Sequence, residues 1–380
     1  MFFSFVKSTV NRGRPFYSAS RSLKQIAFVF DIDGVLVRGS KALPTAKPAL
    51  ELLNKNNIPF ILLTNGGGVT ESSRVNFLSS EIGVPLSPLQ IVQSHTPLKA
   101  QINKYKRVMV VGGPNDSARH CALEYGFKDV IMPIDLVRKD PSISPHHRFT
   151  QEELNKFALK DVDISTPVDA VLVFNDPRDM STDIQIILDM LNSKNGVIGT
   201  HREHTTTTLR STPSIPIIFS NNDFLWANDY KLPRFGQGAV RLMIEALYAE
   251  SNSGAKLEST IMGKPFKVSY DYAHHVLIDW KAKMATNGGV TLQNESSAQI
   301  LPELGVTPTN SPFDKIYMVG DNPASDIKGA NDAGWESLLL RTGVYRDQDW
   351  GSAIAHPTAG VHNDVLASVR ETLRTNGFDV

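Results

Sequence analysis

From Ile26 onward the apolar residues fall into two kinds of segment that take turns along the chain. Short continuous runs, IAFVFDID, IPFILLTN, KRVMVVGG, DAVLVFND, IPIIFSNND, KIYMVGDNPASD and ESLLLRTG, end in polar or glycine residues. Runs of this length predict strands buried on both faces. Between them, PTAKPALELLNKNN, TESSRVNFLSSEIG, DSARHCALEYGF, STDIQIILDMLNSKNG, QGAVRLMIEALYAES, GKPFKVSYDYAHHVLIDW and DVLASVRETLRTNG carry apolar residues at helical spacing, with Gly83 as a stop signal for the second. Strand and helix in alternation predict an α/β fold, a doubly wound, Rossmann-like parallel sheet with helices on both faces. Residues 133–168 read as irregular and polar, apart from a capping box, Thr150 to Glu153, that opens a short helix. No solenoid-type repeat interrupts the pattern.

The rhythm divides the chain into a core domain over 26–96, an inserted α/β domain over 97–257 and the rest of the core over 258–380. Its 380 residues suffice for this arrangement. Residues 284–312, rich in Gly, Asn, Ser and Thr, read as a surface insertion. The longest apolar runs, such as IPFILL, are too short to span a bilayer.

Charge is balanced at 39 basic against 39 acidic residues, which gives no argument for nucleic acid as a partner. The balance conceals an asymmetry. Residues 1–25 hold Lys7, Arg12, Arg14, Arg21 and Lys24, many serines and no acid, the composition of a mitochondrial targeting segment. The single cysteine, Cys121, excludes an internal disulfide and a cysteine-based zinc site, and reads as a buried small side chain.

In open parallel sheets, ligands sit beyond the carboxyl ends of the strands. Asp31 and Asp33 end the first strand, Thr64 and Asn65 the next, and Asp321 and Asp326 follow a later one. Paired carboxylates repel unless a cation, a lysine or a shared proton answers them. Four acids at one sheet edge suit a hard cation, and Mg²⁺ fits well because it takes carboxylates while leaving positions for water and phosphate. Lys264, in GKP, can hold a phosphate oxygen and offset the acids. TNGGG offers the Thr64 hydroxyl, the Asn65 amide and flexible backbone from Gly66 as phosphate donors. Each signal is weak alone; their order, each at a strand end or helix start, is specific.

These four clusters resemble the four motifs of the haloacid-dehalogenase superfamily, and the insertion after the second resembles that of subclass IIA, with an α/β cap. TNGGG, NNDFLWAND and PRFGQGA resemble the mitochondrial cat-eye-syndrome-critical-region-protein-like branch. The resemblance covers nearly everything from Ile26 to the end. It implies a Mg²⁺-dependent phosphatase of a small phosphorylated metabolite in the mitochondrial matrix. Asp31 would be the nucleophile that forms an aspartyl-phosphate, and Asp33 the general acid and base. Thr64 and Lys264 would grip the phosphoryl group, while Asp31, the Asp33 carbonyl and Asp321 would hold the metal, with Asp326 orienting the site. Asn221 and Asp223 would approach the substrate from the cap. A homodimer is the subclass expectation. Gly66, Gly67 and Gly68 depart from the wider subclass, which has Asn or Ser after the threonine–asparagine pair. Two other readings stand beside this one: a binding or regulatory protein of weak turnover on the same fold, and an enzyme of glycerophosphate-type phospholipid precursors. His201 and His204 read as a polar loop, VVGGPND lacks the dinucleotide fingerprint, and Trp226 reads as a packed side chain rather than a stacking platform.

Overall fold

The structure is a computed structural model that describes residues 24–203, 210–226, 230, 232, 234–286 and 302–380. The basic segment before Lys24, His204 and most of the 284–312 insertion lie outside the described residues.

Two parallel sheets organise the chain. The first runs in the order Val361–His362, Glu336–Leu340, Lys315–Gly320, Ile26–Phe30, Phe60–Leu63, Ile91–Val92. Every pairing in it is parallel, with Phe28 opposite both Tyr317 and Phe60. The central strand Ile26–Phe30 is buried throughout, and its side chains alternate between two cores. Phe28 and Phe30 join Leu50, Leu53, Leu78, Val369 and Leu373 on one face. Ala27 and Val29 join Tyr270, Ala273 and Leu277 of the Lys267–Thr286 helix on the other. An unbroken apolar run is what a strand covered on both faces requires.

The second sheet has the order Thr260–Ile261, Ile217–Phe219, Ala170–Val173, Arg107–Val111, Asp129–Ile131 and its own core. It extends to Ile261, past the expected return point at 257. The fold is therefore a doubly wound parallel-sheet core with an inserted α/β unit.

The expected helices form with local signals in place. Glu71–Ile82 is capped by the Thr70 side chain, which accepts from Ser73 N, and it stops at Gly83 with φ +73°. Thr150 and Glu153 form the expected capping box ahead of Gln151–Phe157. The 133–168 stretch is less irregular than its polarity suggests, because Pro133–Lys139 is also a helix, closed by Asp135 accepting from Met132 N. The helix after GKP begins at Lys267, two residues beyond Pro265. Cys121 is buried as expected, and burial pushes its thiol up to about 12, which makes it inert. Trp226 departs from expectation: it is 43% exposed, on a short antiparallel pair with Arg234–Phe235.

Candidate active site

The Ile26–Phe30 strand ends at Asp31, whose backbone N donates to Val319 O across the sheet. The neighbouring strand Lys315–Gly320 ends at Asp321, and the turn after it delivers Asp326. These three buried carboxylates bring ligand oxygens within 4.8 Å of one another. Lys264 reaches in from the loop after the second sheet, its Nζ donating to Asp31 Oδ1 at 2.6 Å and Asp326 Oδ1 at 2.7 Å. Asp326 Oδ2 accepts from the N of Asp321 and of Asn322, and Asp321 Oδ2 accepts from Val344 N. Backbone and lysine thus fix the three acids in place.

The electrostatics are unbalanced in a useful way. Burial pushes the Asp31 carboxyl well above the ordinary carboxylate range, against the pull of Lys264, and Asp326 and Asp321 add to the rise. Asp321 is pushed up to about 7, by burial first and then by Asp326. Burial would depress the Lys264 ammonium, but Asp31 and Asp326 outweigh it and raise its pKa. One lysine therefore answers three acids, leaving room for further positive charge. A buried, all-oxygen donor set of this kind suits Mg²⁺.

Two glycines make space around Asp321. A Cβ on Gly34, where φ is +84°, would stand 2.6 Å from Asp321 Oδ2, and one on Gly343 would stand 1.7 Å from it. Gly343 carries only one signal in the sequence, a glycine just past a buried strand, as Gly34 lies just past Asp33.

Asp33 lies apart from the trio. Its side chain is 57% exposed and faces Arg74 at 3.6 Å. Thr64 is buried at the end of Phe60–Leu63, and its Oγ1 accepts from Gly66 N at 3.0 Å. A Cβ on Gly66 would meet Thr64 Oγ1 at 3.3 Å and Asp33 Oδ2 at 4.0 Å, so the glycine leaves the space between hydroxyl and carboxylate open. Gly67 and Gly68 have packing reasons of their own. A Cβ on the first would stand 2.7 Å from the His95 ring and 2.8 Å from Ser94 Oγ. On the second, where φ is +91°, it would stand 2.1 Å from Asn175 Nδ2. The triple glycine threads between the two halves of the molecule.

Asn65 ties those halves together. Its Nδ2 donates to Asp223 Oδ1 and to Lys264 O, both at 3.0 Å, and its Oδ1 accepts from Lys264 N at 2.7 Å. Asn221 Nδ2 donates to Asn65 O at 3.2 Å. Asn221 and Asp223, from the loop after Ile217–Phe219, thus reach the core through Asn65, whose side-chain amide is engaged with protein on both sides. Burial raises the Asp223 carboxyl, partly offset by the Asn65 bond. A second tie lies behind the loop: buried Glu71 accepts from Thr96 Oγ1 at 2.6 Å and Tyr125 OH at 2.7 Å, with Lys99 at 3.3 Å.

Two family descriptions match the chain, haloacid dehalogenase-like hydrolase over residues 28–128 and a hydrolase-like model of the same class over 261–368. A mitochondrial hydrolase of Saccharomyces cerevisiae is 50% identical over 95% of this chain and 98% of its own length. A fusion protein of Schizosaccharomyces pombe, cardiolipin synthase (CMP-forming) joined to a mitochondrial hydrolase, is 40% identical over 90% of this chain; the match spans 52% of the fusion. The fold is shared with a hypothetical protein of Pyrococcus horikoshii, with TM-score 0.56 and 18% identity over 91% of this chain and 99% of that one. It is shared also with a 4-nitrophenylphosphatase of Thermotoga maritima, with TM-score 0.54 and 17% identity over 91% and 97%. Half of all aligned positions shared with a full-length relative, together with the two family matches in the first and last thirds of the chain, place it among the haloacid dehalogenase-like hydrolases.

Proposed function

We propose that the protein is a Mg²⁺-dependent phosphatase that hydrolyses a small phosphorylated metabolite through an aspartyl-phosphate, in mitochondria. The observation that carries this reading is the buried Asp31 carboxylate, held by Lys264 at 2.6 Å beside Asp321 and Asp326 at the sheet edge. The 4-nitrophenylphosphatase fold neighbour and the mitochondrial yeast relative support it.

In this mechanism an Asp31 oxygen attacks phosphorus as the ester oxygen departs, and Asp33 gives that oxygen its proton. Asp33, now a carboxylate, takes a proton from the water that attacks the aspartyl-phosphate. The acyl–phosphate linkage breaks, inorganic phosphate leaves and Asp31 is restored. Asp33 is suited to both steps because it faces solvent across the open space at Gly66. Thr64 Oγ1 and Lys264 Nζ hold the non-bridging phosphoryl oxygens, and Asn65 positions Lys264 through two backbone hydrogen bonds. Mg²⁺, held by Asp31, Asp321 and the Asp33 carbonyl with Asp326 supporting, would supply charge neutralisation at the phosphoryl group. Asn221 and Asp223, which reach Asn65 from the inserted unit, would contact the substrate's leaving group.

The test is phosphate release from a panel of phosphometabolites, with Mg²⁺ and with EDTA, by wild type and Asp31→Asn. Magnesium-dependent release by wild type alone is expected. No release from folded, Mg²⁺-binding protein would favour a regulatory role instead.

A glycerophosphate-type lipid precursor is a second reading for the substrate. The fusion relative joins a mitochondrial hydrolase to cardiolipin synthase (CMP-forming), and directly after Asp223 the chain exposes Phe224, Leu225 and Trp226, with Phe235 packed edge-on to Phe224. Preference for a micellar lipid phosphomonoester over its water-soluble headgroup would select this reading.

A further inference from the structure

The inserted unit contains a cavity of about 230 Å³ with no part in the chemistry above. It lies beyond the carboxyl ends of Arg107–Val111 and Asp129–Ile131 in the second sheet, under the start of the Met180–Leu191 helix. Between Arg107–Val111 and its two neighbours the strand order of this sheet reverses, which is where open α/β sheets form crevices. Met132, Ile134, Phe149 and Phe157 make its walls apolar.

One polar group in it stands out. Asp183 is 7% exposed, lines the cavity, and its carboxylate makes no hydrogen bond or ion pair with any described residue. The other charged groups lining the cavity are otherwise engaged or able to turn to solvent. Asp179 accepts from Thr182 Oγ1, Ser181 Oγ and Arg148 N. Glu153 is spent on the Thr150 cap. Arg178 is exposed and makes no ion pair with Asp183. A buried acid without a partner is costly, and proteins keep such groups paired. A metal does not answer it: among the described residues, the only acid cluster close enough to hold an ion is Asp31, Asp321 and Asp326. The Asp183 carboxylate opens onto the cavity rather than being sealed from it, so a cationic donor that brings apolar surface with it would answer both the acid and the walls.

We propose that this cavity is a second binding site, separate from the strand-end carboxylates, for a small organic cation whose ammonium pairs with Asp183 and whose apolar body lies against Met132, Ile134, Phe149 and Phe157. An apolar cavity of ~150 Å³ is enough to hold a benzene ring, so this one has room for an aryl or short alkyl amine. Burial, then the charge of Asp179, pushes the Asp183 carboxyl up to about 7, so the acid is poised to ionise when a cation arrives.

Benzylamine, benzyl alcohol and benzoate are the probes, titrated calorimetrically into the full chain at pH 8. Benzylamine should saturate one site at least tenfold more tightly than benzyl alcohol, and benzoate should not bind. Asp183→Asn should weaken benzylamine at least tenfold and leave benzyl alcohol unchanged. Phe149→Trp, which fills the cavity, should abolish both, and it serves alone if Asp183→Asn does not fold. In wild type, benzylamine affinity should rise about tenfold from pH 6 to pH 8 as a carboxyl titrating near 7 ionises, while benzyl alcohol stays flat. No saturable benzylamine binding would overturn the proposal. So would equal affinity for amine and alcohol, or benzylamine binding that survives both variants and so belongs to the strand-end acids.

Discussion

The Asn65 tie can be broken by changing one atom. Asn65→Asp keeps the shape and the Oδ1 acceptor for Lys264 N, but it replaces the donor that serves Asp223 Oδ1 and Lys264 O. Two carboxylates then face each other at the 3.0 Å now spanned by the Asn65–Asp223 bond. In an effective dielectric near 20 their repulsion is about 5 kcal/mol. Taking up a shared proton is cheaper, at most about 4 kcal/mol at pH 7 for an acid of pKa near 4. It costs less here because burial already raises Asp223. The protonated pair regains one hydrogen bond and forgoes the one to Lys264 O, about 1 kcal/mol. The expected destabilisation is therefore about 3–5 kcal/mol at pH 7.5 and about 1–2 kcal/mol at pH 5, where the proton is nearly free. Asn65→Ala removes three side-chain hydrogen bonds without adding charge, about 3 kcal/mol at either pH. Urea unfolding in EDTA, followed by both fluorescence and circular dichroism to test cooperativity, should show the two variants exchanging rank between pH 7.5 and pH 5. Both should lose phosphate release, through displacement of Lys264. If Asn65→Asp is no more sensitive to pH than Asn65→Ala, the hydrogen-bond assignment at Asn65 is wrong.

Other consequences are open to test. Mg²⁺ at a hundred times its dissociation constant should stabilise the wild type by about 2.7 kcal/mol in thermal unfolding, and Asp321→Asn should lose most of that gain. Gly68→Ala should cost about 1–3 kcal/mol, since φ is +91° and the new Cβ meets Asn175 Nδ2; pairing it with Asn175→Ala should return the steric share in a double-mutant cycle. Asp183→Asn should stabilise the protein relative to wild type as pH rises. The folded-state pKa of Asp183 is raised, to about 7, so the native state binds more protons than the unfolded one between about pH 4 and 7, and wild-type stability falls with pH across that window. The variant's advantage should vanish near pH 4 and approach about 4 kcal/mol at pH 8 as an upper bound, read from denaturation midpoints.

The sequence by itself determined the sheet that carries the candidate site. Parallel strands covered on both faces must be continuous apolar runs, so the first polar residue after each run marks a strand's carboxyl end; Asp31, Thr64 and Asp321 were legible for that reason. Helix ends were legible where a cap and a glycine bracket them, as at Thr70 and Gly83. Two-residue strands such as Ile91–Val92 and Thr260–Ile261 have no period to detect, and the seven-residue helix Pro133–Lys139 has barely two turns. What each polar group touches was decided only by tertiary structure. Asn65 meets Asp223 and Lys264 across 158 and 199 residues of chain, so nothing local could show that its amide joins the two halves. The triple glycine reads as flexible phosphate backbone in isolation. Only the folded chain shows Ser94, His95 and Asn175 occupying the volume where its side chains would be. Asp183 sits on a helix among apolar neighbours, with nothing in its spacing to single it out. Its burial without a partner arises from the packing of three helices and two strand ends, which sequence spacing does not encode.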